Sequence, residues 1–130
     1  MHLFVYGTLR KKPSSRVLNT VHQQFLSQAM FCGEAKLNGY LYSLGSYPGL
    51  LLDDLAESQV TGEIYQINET DLELLDAYEE IDNDSENTEY QRILKTIVSD
   101  SGEKFSVWIY VMKTSTNGIE LIISGDWCAD

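Results

Sequence analysis

The chain has 130 residues, of which 43% are hydrophobic and 11% aromatic, so a single globular domain spanning residues 1–130 is expected. Nine Lys and Arg against twenty Asp and Glu give a formal net charge of −11. This balance argues against binding nucleic acid through its phosphates and against docking on an anionic membrane, because both need a surplus of positive charge.

The N-terminal segment predicts a cytoplasmic protein. It lacks both the basic start and the apolar run of a signal peptide, and no stretch approaches the roughly 18 apolar residues of a spanning helix. The two cysteines, Cys32 and Cys128, are far apart in sequence. We expect both to be free thiols in a reducing compartment.

The first half of the chain is predicted to be mainly extended. His2–Tyr6 is a short apolar and aromatic strand that ends at Gly7. A loop follows, and Pro13-Ser14-Ser15 can start a helix that runs to about residue 22. The later segments are predicted as extended structure over Phe25–Leu44 interrupted at Gly33 and Gly39, a turn over Gly45–Gly49, and a strand over Leu50–Leu52.

The second half of the chain contains the clearest elements. Val60–Ile67 alternates as a strand, and a helix should run from Thr70 to about residue 80, with Thr70 and Glu73 forming a capping box. A loop at 82–85 precedes a hairpin of Tyr90–Ser99 and Lys104–Met112, and Leu121–Ile123 can add a last strand. Many short strands with two helices indicate an α+β fold dominated by β structure.

An acidic run follows the Val60–Ile67 strand. Residues 69–89 contain ten acids and no Lys or Arg, whereas residues 1–33 contain four basic residues and no acid. Most of the run is expected to be a solvated helix and loop. On a helix with Leu72 at zero, however, Glu79 falls at about 340°, within the arc of Leu75, Tyr78 and Leu74.

This position makes Glu79 a candidate general base. Burial raises the pKa of a carboxyl group, which suits a base that works near neutral pH. Glu73 and Glu80 fall outside the apolar arc and should be more exposed. The alternative is that Glu79 lies at a frayed helix end and turns towards water.

The segment after the first strand, Tyr6-Gly7-Thr8-Leu9-Arg10, is a candidate anion-binding loop. A glycine there lets the backbone approach a ligand, and successive N–H groups can hold an anion. An ordinary turn is the alternative. Several sharper sites are excluded, because the two histidines are not in a metal-ligand cluster and no phosphate loop, dinucleotide fingerprint or nucleophile elbow occurs.

These residues also resemble a known family. Phe4-Val5-Tyr6-Gly7-Thr8-Leu9-Arg10 closely resembles the N-terminal signature of the γ-glutamylcyclotransferase-like family, and Leu75-Asp76-Ala77-Tyr78-Glu79 resembles its Leu-Asp-x-x-Glu segment. The likeness covers roughly residues 2–112, and its further matches are Tyr47-Pro48-Gly49-Leu50, Val60–Tyr65, Tyr90-x-Arg92 and Trp108-x-Tyr110-Val111. One residue departs from the family pattern: Glu80 stands where the family usually has glycine.

The resemblance implies a small mixed β-barrel with flanking helices and an enzyme that needs no metal or cofactor. The implied reaction is attack of the α-amine of a γ-glutamyl group on its own γ-carbonyl, which releases 5-oxoproline and an amine or amino acid. Glutathione, γ-glutamyl amino acids, γ-glutamyl amines and a γ-glutamyl natural product all remain open as substrates. Glu79 would be catalytic, and the implied substrate-binding residues are Tyr6, Gly7, Thr8, Leu9, Arg10, Tyr47, Tyr90 and Tyr110.

Two other functions remain open at this stage. One is a non-catalytic module on the same fold that binds a small ligand, for which Glu80 is the only support in the sequence. The other is an acidic protein that uses residues 69–89 to bind a basic partner, with an affinity that falls steeply as salt is added.

Overall fold

The computed structural model describes residues 1–6, 29–43, 48–78, 90–112, 120–122 and 125. Within these ranges the chain forms seven β-strands and one α-helix. In chain order they are β1 (His2–Val5), β2 (Met30–Ser43), β3 (Pro48–Leu52), β4 (Gln59–Gln66), α1 (Glu69–Tyr78), β5 (Tyr90–Val98), β6 (Lys104–Met112) and β7 (Glu120–Ile122).

The strands form one mixed sheet in the order β3-β2-β4-β1-β6-β5, with β7 paired to β2. β1 lies in the middle, parallel to β6 and antiparallel to β4. The sheet curls into a half-barrel, and a bridge between Ala35 and Ser99 joins β2 to the end of β5. The Asp100 N–H also donates to the Glu34 carbonyl at 2.8 Å. The predicted α+β fold with a barrel-like sheet is therefore confirmed.

The central strands have an interior face and a helix-covered face, because successive strand residues point to opposite sides of a sheet. The interior face is enclosed by the curl of the sheet and holds apolar side chains such as Phe4, Ile64, Val107 and Ile109, none more than 1% exposed. The helix-covered face packs against Leu72 and Leu75 of α1 and includes Leu3, Val5, Tyr65 and Tyr110.

Close packing on the interior face requires a glycine at position 62. A Cβ added to Gly62 would meet the ring of Phe4 and would lie 2.5 Å from the Val5 carbonyl oxygen. Because residue 62 has no side chain, the Phe4 ring packs directly against the backbone of β4.

The helix begins earlier than the sequence predicted. The Asp71 N–H donates to the Asn68 side-chain oxygen at 2.8 Å, and the Asn68 N–H donates back to the Asp71 carboxylate at 3.3 Å. The capping box is therefore Asn68-x-x-Asp71, and the predicted Thr70 and Glu73 box is wrong. The reason is that β4 pairing extends through Ile67, whose N–H donates to the Met1 carbonyl at 2.9 Å, so the chain turns directly into the helix.

β2 also differs from the prediction. It runs unbroken from Met30 to Ser43, and Gly33 produces only a bulge near Phe31 where the sequence suggested an interruption. The strands predicted at the N-terminus, over 50–52, over 60–67, in the 90–112 hairpin and near 121 are confirmed to within a few residues. The helix predicted over residues 13–22 lies outside the described residues.

Cys32 is a free cysteine, as expected, and Cys128 lies outside the described part. Within the described ranges, no helix has the length and apolar character needed to cross a membrane.

Candidate functional site

The strand register brings several predicted site residues to one end of the sheet. Leu3 of β1 lies beside Trp108 of β6, so two residues further along these parallel strands Val5 comes level with Tyr110. On the other side of β1, Val5 pairs with Glu63 of β4. Tyr110 pairs in turn with Arg92 of β5. The C-terminal end of β1 is therefore flanked by charged and phenolic residues from three strands.

Tyr6 and Tyr110 are joined across the sheet. The Tyr6 side chain is 7% exposed and lies on the interior face, where its hydroxyl donates to the main-chain carbonyl of Tyr110. Tyr110 itself points to the opposite, helix-covered face. Its hydroxyl donates to Oδ1 of Asp76 in α1, with 2.7 Å between the oxygens. One residue of β6 thus connects the end of β1 to the last turn of the helix.

Asp76 has a second donor. Nε of Arg92 lies 2.9 Å from the same Oδ1, and the two side chains are only 23% and 22% exposed for Arg92 and Asp76. The guanidinium carbon of Arg92 lies 4.3 Å from the centre of the Trp108 ring. Because a partly buried carboxylate must be paired to be tolerated, these contacts explain how Asp76 can lie between helix and sheet.

Glu63 is the most buried carboxyl group in the described part of the chain. It is 2% exposed and accepts a hydrogen bond of 2.9 Å from the Tyr65 hydroxyl. Its position beside Val5 places it at the same end of β1 as Tyr110. The helix-covered face therefore holds two carboxyl groups, those of Glu63 and Asp76, each bound to a phenol.

The predicted site residues divide into two groups. Tyr6 and Tyr110 lie in the described part and are joined by the hydrogen bond from the Tyr6 hydroxyl to the Tyr110 carbonyl. Tyr90 is the first residue of β5, where its backbone pairs with Met112. Glu73 is exposed, as expected from the helical geometry, but Leu74 is also 37% exposed, so the apolar arc of α1 is narrower than predicted. The remaining residues, whose assignments stay predictions, lie outside the described part: Gly7, Thr8, Leu9, Arg10, Tyr47, Glu79 and Glu80.

The described flanks of the two predicted segments do lie at the same end of the central strands. Tyr6 directly precedes Gly7, and Asp76 lies three residues before Glu79. The bonds through Tyr110 join these flanks. The two predicted segments therefore start from neighbouring points of the described structure.

No role was predicted from the sequence for Asp76, Arg92 or Glu63. Asp76 carried a signal, because its helical angle of about 40° from Leu72 borders the apolar arc. Arg92 was noted only as part of a motif and Tyr110 only as an implied substrate-binding residue, since the pairing of the two depends on strand register. Among the described residues, no three or more His, Cys, Asp or Glu side chains are grouped so that they could hold a metal ion.

Comparisons with known proteins agree with this architecture. The family model described as γ-glutamyl cyclotransferase, AIG2-like, matches residues 3–129. The γ-glutamylcyclotransferase family protein YtfP of Escherichia coli is 35% identical over 128 residues, which cover 98% of this chain and 96% of that protein.

Solved structures show the same fold. The solution structure of ytfP from Escherichia coli matches with a TM-score of 0.66 and 34% identity, covering 99% of this chain and 97% of that one. An AIG2-like protein from Mus musculus matches with a TM-score of 0.68 and 27% identity, covering 89% of this chain and 79% of that one. With the family model spanning nearly the whole sequence, this chain belongs to the γ-glutamylcyclotransferase, AIG2-like family.

Proposed function

We propose that the protein is a cyclotransferase that cleaves a γ-glutamyl amide to 5-oxoproline and an amine or amino acid. Family membership supports the reaction class. The observation that carries the proposal is the chain of hydrogen bonds from Tyr6 through Tyr110 to Asp76. These bonds hold Tyr6, which precedes the Gly7–Arg10 loop, in a fixed position relative to Asp76, which lies three residues before Glu79.

The chemistry requires little more than positioning and proton transfer. The α-nitrogen of the γ-glutamyl group forms a bond to its own γ-carbonyl carbon, and the bond from that carbon to the leaving nitrogen breaks. Because both reacting atoms belong to one molecule, holding the folded conformer captures a large proximity effect. The α-ammonium gives up two protons in all, and the leaving amine gains two, so the reaction is balanced without a co-reactant.

Glu79 is proposed as the group that moves these protons. The pKa of an α-amine is near about 8, so the amine is mostly protonated at neutral pH and must lose a proton before it can attack. A carboxylate can accept that proton and return it to the leaving nitrogen. The N–H groups of Gly7, Thr8 and Leu9 would hold either the substrate carboxylate or the oxyanion that develops on the γ-carbonyl.

The other predicted substrate-binding residues are expected around this centre. Arg10, Tyr47 and Tyr90 would contact the substrate. The hydroxyls of Tyr6 and Tyr110 donate to protein acceptors, so their main contribution would be to fix the shape of the site. The substrate would be a small molecule, and the leaving group would be an amino acid, a peptide or an amine.

The test is a screen of glutathione, γ-glutamyl amino acids and γ-glutamyl amines for release of 5-oxoproline. Glu79→Gln keeps the shape and hydrogen-bonding capacity of the side chain but removes the base. We expect its turnover at saturating substrate to fall by about a hundredfold or more.

Glu80→Gln is the matched control and should keep turnover within a few-fold of the parent, because on a helix Glu80 would lie about 100° away from Glu79. Binding of γ-glutamyl compounds without turnover by the parent would support the non-catalytic module instead. Near-normal turnover in Glu79→Gln would exclude Glu79 as the base.

A further inference from the structure

The Asp76 clamp is the most specific polar arrangement in the described part of the chain. It consists of Asp76, Tyr110 and Arg92. Both donors bind Oδ1 of Asp76, Tyr110 at 2.7 Å and Arg92 at 2.9 Å. Arg92 is itself held by the Trp108 ring. A carboxylate with a phenol and a guanidinium on one oxygen has a fixed direction as well as a fixed position.

The rest of the helix contact does not supply that direction. Leu72 and Leu75 anchor α1 to the sheet and are 7% and 1% exposed. Such apolar contacts are non-directional, so they hold the helix against the sheet without fixing its rotation tightly. Asp76 follows Leu75 directly and adds two hydrogen bonds whose geometry does fix the rotation. The clamp therefore sets how the helix end is oriented on the sheet.

That orientation bears on Glu79, which lies three residues after Asp76 in the sequence. The direction in which the chain leaves α1 depends on how the last turn of the helix is held, so Glu79 would depend on the orientation of Asp76. The clamp also connects to the other proposed part of the site, because Tyr110 accepts the hydrogen bond from Tyr6, the residue before Gly7. A shift of Tyr110 would therefore alter both segments together.

We propose that Asp76 is a positioning residue: through its hydrogen bonds to Tyr110 and Arg92 it fixes the end of α1 relative to the end of β1, the two points from which the chain continues to Glu79 and to Gly7–Leu9. This inference rests on the proposed function and adds a residue to it. The carboxylate of Asp76 is committed to protein donors on one oxygen and so differs in role from a base that must exchange protons with substrate. A misplacement of about 1 Å can cost as much as a hundredfold in rate, so a positioning defect is measurable.

The main experiment compares Asp76→Asn with the control Glu73→Gln. Both remove one negative charge from α1, but Glu73 is exposed. We expect Asp76→Asn to lower kcat by about tenfold to a hundredfold with KM within a few-fold, because ground-state binding is largely kept. Glu73→Gln should stay within about twofold in both constants. Thermal melts of both variants show whether the fold is retained.

Tyr110→Phe provides a second, milder variant, since it removes one hydroxyl and keeps the ring. We expect it to lower kcat by about tenfold. If the two residues act as one unit, the double variant Asp76→Asn with Tyr110→Phe should be no slower than Asp76→Asn alone. Should Asp76→Asn fail to fold, Tyr110→Phe and Arg92→Lys test the same bonds singly.

Three outcomes would overturn the positioning role. Normal kcat in Asp76→Asn while Glu79→Gln is impaired would show that the clamp does not affect the base. A raised KM with unchanged kcat would make Asp76 a substrate-binding residue. A loss in Asp76→Asn as large as in Glu79→Gln, with the single variant Tyr110→Phe keeping the turnover of the parent, would place Asp76 in the chemistry itself.

Failure of the proposed function is distinguished by a readout that needs no substrate. If the parent protein releases no 5-oxoproline from any γ-glutamyl compound, the function is wrong and the positioning role falls with it. Amide hydrogen exchange of residues 75–78 then decides whether the clamp holds the helix end. We expect exchange about tenfold faster in Asp76→Asn than in Glu73→Gln, and equal rates would contradict the clamp as well.

Discussion

The two faces of the central strands differ in composition and in what they connect. The interior face is lined by fully buried apolar side chains, with the hydroxyl of Tyr6 as a polar group at its edge. The helix-covered face is also well buried, yet it holds the carboxyl groups of Glu63 and Asp76, each with a tyrosine hydroxyl bound to it. The same strands supply both faces through alternate residues.

This difference suggests that the interior face contributes mainly to the stability of the fold, whereas the helix-covered face also positions the site. Apolar contacts on the interior face can be lost or gained with effects that depend on area and cavity volume. The helix-covered face adds directional bonds between elements distant in sequence, so a change there should affect the geometry of the site as well as the free energy of unfolding. The following variants test that separation.

The largest expected loss of stability comes from the interior face. Ile64 is fully buried on β4, and Ile64→Ala should lower the free energy of unfolding by about 2–5 kcal/mol, towards the upper end because neighbouring strands cannot close the cavity. Urea denaturation gives this value. Turnover of the folded protein should remain within a few-fold of the parent. A large loss of kcat in a variant that keeps its structure would show that the interior face also determines the geometry of the site.

A matched change on the helix-covered face should affect both properties. Leu75 is 1% exposed in α1, and Leu75→Ala should cost about 2–4 kcal/mol, somewhat less because a helix end can shift towards the cavity. That same shift should lower kcat by about tenfold, since it moves the segment that leads to Glu79. Denaturation and steady-state kinetics on one sample check both effects. A lower free energy of unfolding with unchanged kcat would mean that α1 covers the sheet without positioning the site.

A smaller effect is expected at the buried carboxyl of Glu63. Tyr65→Phe removes the hydroxyl that lies 2.9 Å from its Oε1 and keeps the ring in place. Because a buried acceptor then loses a donor, we expect unfolding to become easier by about 1–3 kcal/mol. The midpoint of urea denaturation measures it. An unchanged midpoint would mean that this bond contributes no net stability.

The smallest effect is expected at an exposed ion pair outside both faces. Lys36 and Asp100 approach to 3.4 Å, but their side chains are 48% and 44% exposed. Asp100→Asn should therefore change the free energy of unfolding by less than about 1 kcal/mol and leave kcat unaltered. This variant serves as the baseline for the other three in the same assays.

Local patterns in the sequence were sufficient for most elements of the fold. Alternation placed Val60 and Ile64 on a common face of β4, and helical periodicity placed Leu72 and Leu75 on the buried side of α1. The predicted start of α1 was wrong because two possible capping boxes, Asn68-x-x-Asp71 and Thr70-x-x-Glu73, overlap in the sequence. Each has residue types that can cap a helix. The hydrogen bond from the Ile67 N–H to the Met1 carbonyl selects the first of them, and this contact joins residues 66 positions apart.

The candidate site was predictable only where a local motif marks it. Glu79 and the Gly7 loop were predicted from helical angle, glycine placement and resemblance, and both predictions concern residues outside the described part. The Asp76 clamp was not, because its members are 16 and 34 residues apart from Asp76 along the chain. Their meeting depends on the register of β5 against β6 and on where α1 crosses the sheet, neither of which is set by residues close to Asp76.

The central position of β1 has a consequence for how the chain folds. Its two neighbours are β4, about 60 residues later, and β6, more than 100 residues later. A strand whose partners are so distant must wait for large loops to close before its backbone bonds form, which slows folding to the order of milliseconds to seconds. During synthesis β1 would emerge before both of its partners and stay unpaired on one side until β6 left the ribosome, so the apolar stretch Leu3–Tyr6 is where early aggregation or chaperone binding should concentrate.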